Sequence, residues 1–262
     1  MNNRTLTHWN VFLGETRLAY INTKRYGINW LVGTLNLLLF LVFIQLGIYS
    51  FQNGISRGYL GDKIEILILG FFVFSIIGMG ISTVSSRISE GASTGVLEHL
   101  MLSPVSSRYV LLYSTLVQFS FGLVVYLLLL PVSMLICRHF FTINLPKLVF
   151  YAIPLWLASC AAGFMMGALT IIYKKTQNFA NLMQFVILAL MVLPSCPFSP
   201  YSAFPISPQA AALISAVGGK AQIGWGFNSF IYLQSVAYLL IGMKLFKLAE
   251  EYAKTKGILG QY

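Results

Sequence analysis

The chain has 262 residues, of which 57% are hydrophobic and only 9% charged, with a formal net charge of +10 and a mean hydropathy of +0.77. Soluble domains carry about 25% charged residues, so this composition excludes an ordinary water-soluble protein and points to an integral membrane protein. The positive excess invites nucleic acid or anionic lipid as a partner, and only the placement of the charges decides between them.

In chain order, residues from Thr7 to Arg25 read as an amphipathic helix lying on a membrane surface. Trp9, Phe12, Leu13, Thr16 and Tyr20 form its lipid-facing stripe, with Arg17, Lys24 and Arg25 suited to headgroups. Two charge-free runs follow, Trp30–Ile48 and Ile66–Val84. A polar cassette, Ser86–Arg108, then separates the second run from the third, where a brief turn is the usual connection. The cassette predicts its own short helix. Thr94 is placed to cap it, Glu98 sits in its first turn where a carboxylate suits the helix dipole, and Ser103-Pro104 ends it. Val96, Leu97, Leu100 and Met101 fall on one face, with Glu98 and His99 turned away. Such a helix can hand a force to a partner or simply rest on lipid.

The order Glu90, Gly95-Val96-Leu97-Glu98, Leu100 and Ser103-Pro104-Val105 resembles the signature of type-2 ABC exporter permeases. The resemblance implies that the cassette is a cytoplasmic coupling helix docking on a separate ATPase subunit, with Glu90, Gly95, Leu97, Glu98, His99, Leu100, Met101 and Pro104 as its coupling residues. It implies two permease subunits, identical or related, and two ABC ATP-binding subunits. ATP and Mg would be bound by the ATPase and no cofactor by this chain. Similar permeases also carry an interfacial entry helix before the first span, which agrees with the reading of Thr7–Arg25. Plain anchoring accounts for that helix equally well.

Four more charge-free runs complete six predicted spans: Tyr109–Ile136, Leu148–Ile172, Phe179–Leu193 and Ile223–Met243, the fifth being short for a core of roughly 30 Å. With the N-terminus inside, twelve of the seventeen Lys and Arg residues fall on the cytoplasmic side and five on the other. That follows the positive-inside rule and predicts a multi-pass protein of the cell membrane with both termini cytoplasmic. The excess charge is thus read as topology; membrane lipid is the expected surroundings, and nucleic acid is not an expected partner.

Between the last two runs, Pro194–Gly219 holds five of the nine prolines, Pro194, Pro197, Pro200, Pro205 and Pro208, and no Asp, Glu, Lys or Arg. Ser207 as N-cap with Pro208 at the first helical position predicts a short helix ended by Gly218-Gly219. It is read as a re-entrant or outer-surface hairpin shielded by protein; the resemblance implies a part in closing the outer end of a pathway, and an apolar lid without a gating role is the alternative. Lys244–Tyr262 is expected to continue the last span into a short solvated tail, with Glu250-Glu251 ahead of Lys254 spaced for a weak ion pair along a helix. One domain is expected over residues 1–262: an entry helix at 1–29, a six-span core at 30–246 and a tail at 247–262. Cys137 and Cys196 both fall near the outer face, as a pair or as two free thiols, and the scattered His8, His99 and His139 predict no metal site.

No G-x-x-x-x-G-K-[ST] loop occurs, so ATP, if it drives this protein, is expected on a partner. The six runs lack Asp, Glu, Lys, Arg and His, whereas ion-coupled carriers keep such groups within the bilayer. Catalysis by the chain itself is not expected either, since the runs hold no serine–histidine pair or metal cluster. The strongest polar groups at membrane depth are Asn36, Gln45, Gln118, Asn181, Gln184 and Gln234. They either line a path or hydrogen-bond between helices. The expected function is the membrane-spanning subunit of an ATP-driven exporter of a hydrophobic or amphipathic substrate. The alternatives are an ATP-independent carrier or channel and a non-transporting membrane scaffold.

Overall fold

In hydrocarbon every backbone N–H and C=O has to be satisfied within its own segment, and the apolar runs of this chain accordingly fold as long helices. The structure, a computed structural model, describes residues 3–28, 31–36, 38–39, 42, 61–93, 95, 105–137, 142–173, 177–191, 193, 195–196, 198–218 and 223–256. The helices are α1 (Asn3–Arg25), α2 (Gly61–Ser93), α3 (Ser107–Cys137), α4 (Leu145–Tyr173), α5 (Gln177–Met191), α6 (Ser207–Val217) and α7 (Trp225–Thr255), with a 3-10 turn at Pro200–Ala203 before α6. Residues 31–36 are helical as well, and there is no strand among the described residues.

Four helices are long and apolar enough to cross a membrane: Ile68–Gly91, Ser107–Leu135, Leu145–Tyr173 and Trp225–Thr255. They correspond to the second, third, fourth and sixth predicted runs. The first run lies mostly outside the described residues. The fifth forms only the 15-residue α5, roughly 22 Å at 1.5 Å per residue, which falls short of a core of roughly 30 Å. Over the described residues the chain is therefore all-helical, with four helices of membrane-crossing length among them.

Helix α4 is the centre of the body, packed between α2 and α7. Lipid tails are as apolar as leucine, so helices associate in a membrane by close van der Waals approach and small residues decide where they cross. On α4 those residues are Ala158, Ser159, Ala161, Gly163 and Gly167, all buried. A Cβ added to Gly163 would stand 2.3 Å from the Gly80 carbonyl oxygen on α2, and one added to Gly242 on α7 would stand 2.7 Å from the Ala161 oxygen. Backbone thus meets backbone at both crossings. Phe164 and Phe246, fully buried, meet edge to face at 5.6 Å beside them.

Most polar groups in this core are matched, Trp156 Nε1 being an exception. Pro154 lies inside α4 and has no N–H for the Phe150 carbonyl four residues earlier. The Tyr232 hydroxyl of α7 donates to that carbonyl at 2.6 Å. Ser75, Ser159 and Ser235 bond back to carbonyls of their own helices, and Ser85 and Thr170 join α2 to α4 at 3.0 Å.

Two helices run further than hydropathy suggests. Helix α2 continues to Ser93, so the first residues of the polar cassette are helical, and Gly95 follows in a left-handed turn at φ +71° that glycine enters without strain. Helix α7 continues to Thr255, with Ala249, Glu250 and Ala253 buried. The tail after Lys244 is helical as expected, but it is not solvated all round: Phe246, Ala249, Glu250 and Ala253 give it one buried face.

The proline-rich stretch folds against the body. Of α6, Ser207, Pro208, Gln209, Ala210, Ala212, Leu213, Ala216 and Val217 are buried, mainly against α4 and α2. The expected cap is shifted by one residue: Ile206 flanks the helix and Ser207 is its first residue, because the Ser207 hydroxyl is engaged with Ser195 Oγ at 2.9 Å. Ile206 stands at φ +73° while fully buried. For a β-branched residue this is a strained conformation, held here by the packing around it.

Candidate functional site

The predicted coupling cassette is described only at its ends. Leu97, Glu98, His99, Leu100, Met101 and Pro104 lie outside the described residues, as does the predicted helix they form. Glu90 is exposed on the last turns of α2 and Gly95 is exposed in the turn beyond it. Each end of the cassette is tied to an element remote in sequence.

At the entering end, one terminal nitrogen of Arg87 on α2 contacts both carboxylate oxygens of Glu15 on α1, at 2.8 and 3.0 Å. The side chains are 24% and 13% exposed, a half-buried pair worth about 1 kcal/mol. The same face of α1 rests on α3. His8 Nδ1 lies 3.2 Å from the Tyr113 hydroxyl, and Phe12 meets the Tyr113 ring at 6.0 Å. Phe12, predicted to face lipid, instead faces the protein, while Trp9, Leu13 and Tyr20 stay 58%, 47% and 61% exposed as the lipid-facing stripe requires. Positions 8, 12, 15 and 19 share one face of a helix and 9, 13 and 20 the next, which divides the predicted stripe in two.

Glu15→Arg is expected to destabilise the protein by about 1 kcal/mol, roughly 2–4 °C in thermal midpoint, and Glu15→Arg with Arg87→Glu to restore most of it. Scanning fluorimetry of the purified variants checks this. Additive losses in the double variant would show that the pair does not hold α1 to α2.

At the leaving end, Ser107 opens α3 and donates its hydroxyl to Glu250 Oε2 of α7 at 2.6 Å; Lys254 Nζ donates to Oε1 at 2.6 Å. Glu250 is only 6% exposed. The adjacent Arg108 lies over the Tyr109 ring at 5.2 Å, and its Nε is buried without a partner. The sequence reading missed Ser107, Glu250, Glu15 and Arg87 as a set. Glu250 was findable: it shares a helical face with Met243, Phe246, Ala249 and Ala253, the buried side of α7, and an acid on such a stripe needs a partner.

A cleft of about 570 Å³ opens between α1, α2 and α3, lined among others by Glu15, Arg87, Glu90, Gln118 and Phe121. Among the described residues Gln118 is the one predicted pathway residue in it, with Oε1 at 3.1 Å from the Thr83 hydroxyl. The other predicted polar groups that are described lie elsewhere. Asn36 is exposed, and Gln184 approaches α2 near Gly78. Gln45 and the Asn181 side chain lie outside the described residues. Gln234 belongs to a separate network beside the proline-rich stretch: it accepts from Gln209 Nε2 at 3.2 Å and donates to the Ser202 carbonyl at 2.8 Å. Gln209, fully buried, also donates to Ser235 at 2.9 Å and leaves its own Oε1 unmatched.

Of the five prolines, Pro194 and Pro197 lie outside the described residues. Pro200 is exposed at the start of the 3-10 turn, Pro205 is half-buried and Pro208 is buried in the first turn of α6. The Tyr238 hydroxyl and the Gln234 amide both hold the carbonyl of Ala203, at 2.6 and 3.4 Å, which pins the stretch to α7. Cys196 is a free thiol, pushed by burial above its ordinary pKa and so held protonated. Cys137, its conceivable partner, has a side chain outside the described residues.

No protein-family model matches the chain and no curated protein matches it. Its own architecture therefore carries the functional argument: an all-helical chain with four apolar helices of membrane-crossing length among the described residues, and a polar segment braced at both ends.

Proposed function

We propose that this chain is the membrane-spanning subunit of a type-2 ABC exporter, moving a hydrophobic or amphipathic substrate outward across the cell membrane. The observation that carries the reading is the double brace. A push on the segment between Ser93 and Ser107 reaches α1 through Arg87–Glu15 and α7 through Ser107–Glu250. It also reaches the two apolar helices that the segment joins directly. A segment placed this way couples an external load to the whole helix body, whereas a loop helix resting on lipid has no need of remote anchors.

In this reading two ABC ATP-binding subunits bind and hydrolyse ATP with Mg, a second permease completes the pathway, and both termini face the cytoplasm with the cassette. Glu98 makes the polar contact to the ATPase, and Leu97, Leu100 and Met101 seat the helix on the permease. The stretch around Pro200, Pro205 and Pro208 closes the outer end. The charge-free runs favour cargo that carries an apolar body.

Detergent purification of the tagged chain from its native cells is expected to bring down a nucleotide-binding subunit with ATPase activity. Glu98→Lys is expected to uncouple ATP hydrolysis from transport, cutting transport about tenfold or more by placing like charge or an unpaired ion at the contact, with the folded permease retained. A clean homo-oligomer without ATPase, or full transport by the Glu98→Lys variant, would remove the assignment.

A further inference from the structure

Helix α1 has two faces with different surroundings. His8, Phe12 and Glu15 are turned to the protein, against Tyr113 of α3 and Arg87 of α2. At 3.6 residues per turn, positions 9, 13, 17, 20 and 24 fall in a sector of about 80° that the protein-facing positions do not enter. Trp9, Leu13, Arg17, Tyr20 and Lys24 stand there, and all of them are exposed. Apolar and aromatic bodies therefore share one line of the helix with cations.

The charge on this stripe has one sign. Across residues 8–28 the only carboxylate is Glu15, which is turned to Arg87 with its side chain 13% exposed. Arg17 and Lys24 have no ion-pair partner among the described residues. Arg25 adds a further cation at the same end of the helix, against the Tyr26 ring at 5.6 Å. The surface complementary to the stripe is a negative one.

The chain beyond α1 identifies that surface as a bilayer. Ile28, Leu31, Val32 and Leu35 are all exposed, so the stripe runs on into apolar surface suited to hydrocarbon. Trp and Tyr favour the headgroup level, and Arg and Lys lay their stems along apolar surface while carrying the charge out to the headgroups. A zwitterionic headgroup layer offers uncompensated cations little net attraction, whereas an anionic one draws each of them in.

We propose that the exposed stripe of α1 is a docking surface for anionic phospholipid. That the stripe meets lipid is legible in the sequence; the sign of the headgroup follows from the fold, which turns the helix's one acid of this stretch to the opposite contact. The inference does not rest on the transport reading, since lipid selectivity is measurable on this chain alone.

The test is the association of spin-labelled phosphatidylglycerol with the purified full chain in phosphatidylcholine bilayers, against spin-labelled phosphatidylcholine. The fraction of label slowed by the protein is expected to favour phosphatidylglycerol several-fold at low salt, and the preference to fall as salt is raised. Arg17→Gln with Lys24→Gln is expected to cut the preference about threefold or more, and Arg17→Lys with Lys24→Arg to keep it. Lys244→Gln with Lys256→Gln, which removes the same charge from exposed positions of α7, is expected to change it less. Monodisperse elution and thermal midpoint report that each variant is folded; all four positions are exposed. Equal association of the two lipids with the unaltered chain, or an unchanged preference in the Arg17 and Lys24 variant, would overturn the surface. Equal losses from the α1 and α7 pairs would overturn it too, by showing that net charge alone sets the preference. An unchanged preference together with a smaller oligomer in the Arg17 and Lys24 variant would identify a second copy of this chain as the occupant in place of lipid.

Discussion

Gly163→Ala is expected to cost the protein about 3 kcal/mol or more, and Gly163→Leu to leave no folded protein. The added Cβ would stand 2.3 Å from the Gly80 carbonyl oxygen, 3.3 Å from its carbon and 3.4 Å from Ile81 Cα. All three atoms belong to the backbone of α2, so no side chain can swing aside. Helices α2 and α4 would have to separate, giving up the dispersion contacts on both sides of the crossing and the Ser85–Thr170 bond. Overpacking against side chains costs about 1–3 kcal/mol, and a clash with helix backbone lies above that range. Gly70 on the same helix α2 has nothing within 4 Å of its Cβ position, so Gly70→Ala is expected to be neutral or to stabilise by about 0.5–1 kcal/mol through helix propensity. Thermal midpoints of the two variants in one detergent separate the cases. A Gly163→Ala midpoint equal to that of Gly70→Ala would show that the crossing is not a close one.

Hydropathy located α2, α3, α4 and α7 because each is a charge-free run of membrane length, and the alternation of Trp9, Leu13 and Tyr20 with basic residues located α1. The same signal misplaced their ends. Arg87 and Glu90 ended the second run at Val84, yet the helix continues to Ser93, since backbone hydrogen bonding does not depend on the charge of the side chains it carries. The fifth run is charge-free but carries Asn181 and Gln184, and the helix described over it, Gln177–Met191, has 15 residues. Contacts between remote segments left no trace in the local pattern: Glu15 and Arg87 are 72 residues apart and Ser107 and Glu250 are 143 apart. Nor was the Gly80–Gly163 crossing visible, because glycines are scattered through several apolar runs and only the fold selects the pair that touches. The left-handed Ile206 runs against its own residue type, so local propensity points away from it.

Glu250→Ala is expected to destabilise the protein by about 3 kcal/mol and to loosen the start of α3. Two charge-assisted bonds meet on this carboxylate, from Ser107 at 2.6 Å and from Lys254 at 2.6 Å. Hydrogen bonds to a charged group contribute about 1.5–3 kcal/mol each. The Ser107 bond stands at the upper end, because the hydroxyl is buried and would be left unmatched. The Lys254 bond falls below that range, at about 0.5 kcal/mol, because it is an i,i+4 pair whose lysine is 45% exposed and regains water. Glu250→Gln keeps an acceptor for Ser107 but loses the charge on that bond and the ion pair, so about half the effect is expected. In a double-mutant cycle, Ser107→Ala should cost little once Glu250 is alanine, since both remove one contact. Additive losses would mean that the two residues act separately and that nothing ties α7 to the leaving end of the cassette. If they act as one, this contact also has a functional reading under the proposed mechanism. Force arriving at Ser107 divides between α3 and α7, and a permease lacking Glu250 passes it to α3 alone. Its ATPase partner would then turn over with transport reduced, a split between hydrolysis and export that a loss of stability alone does not produce.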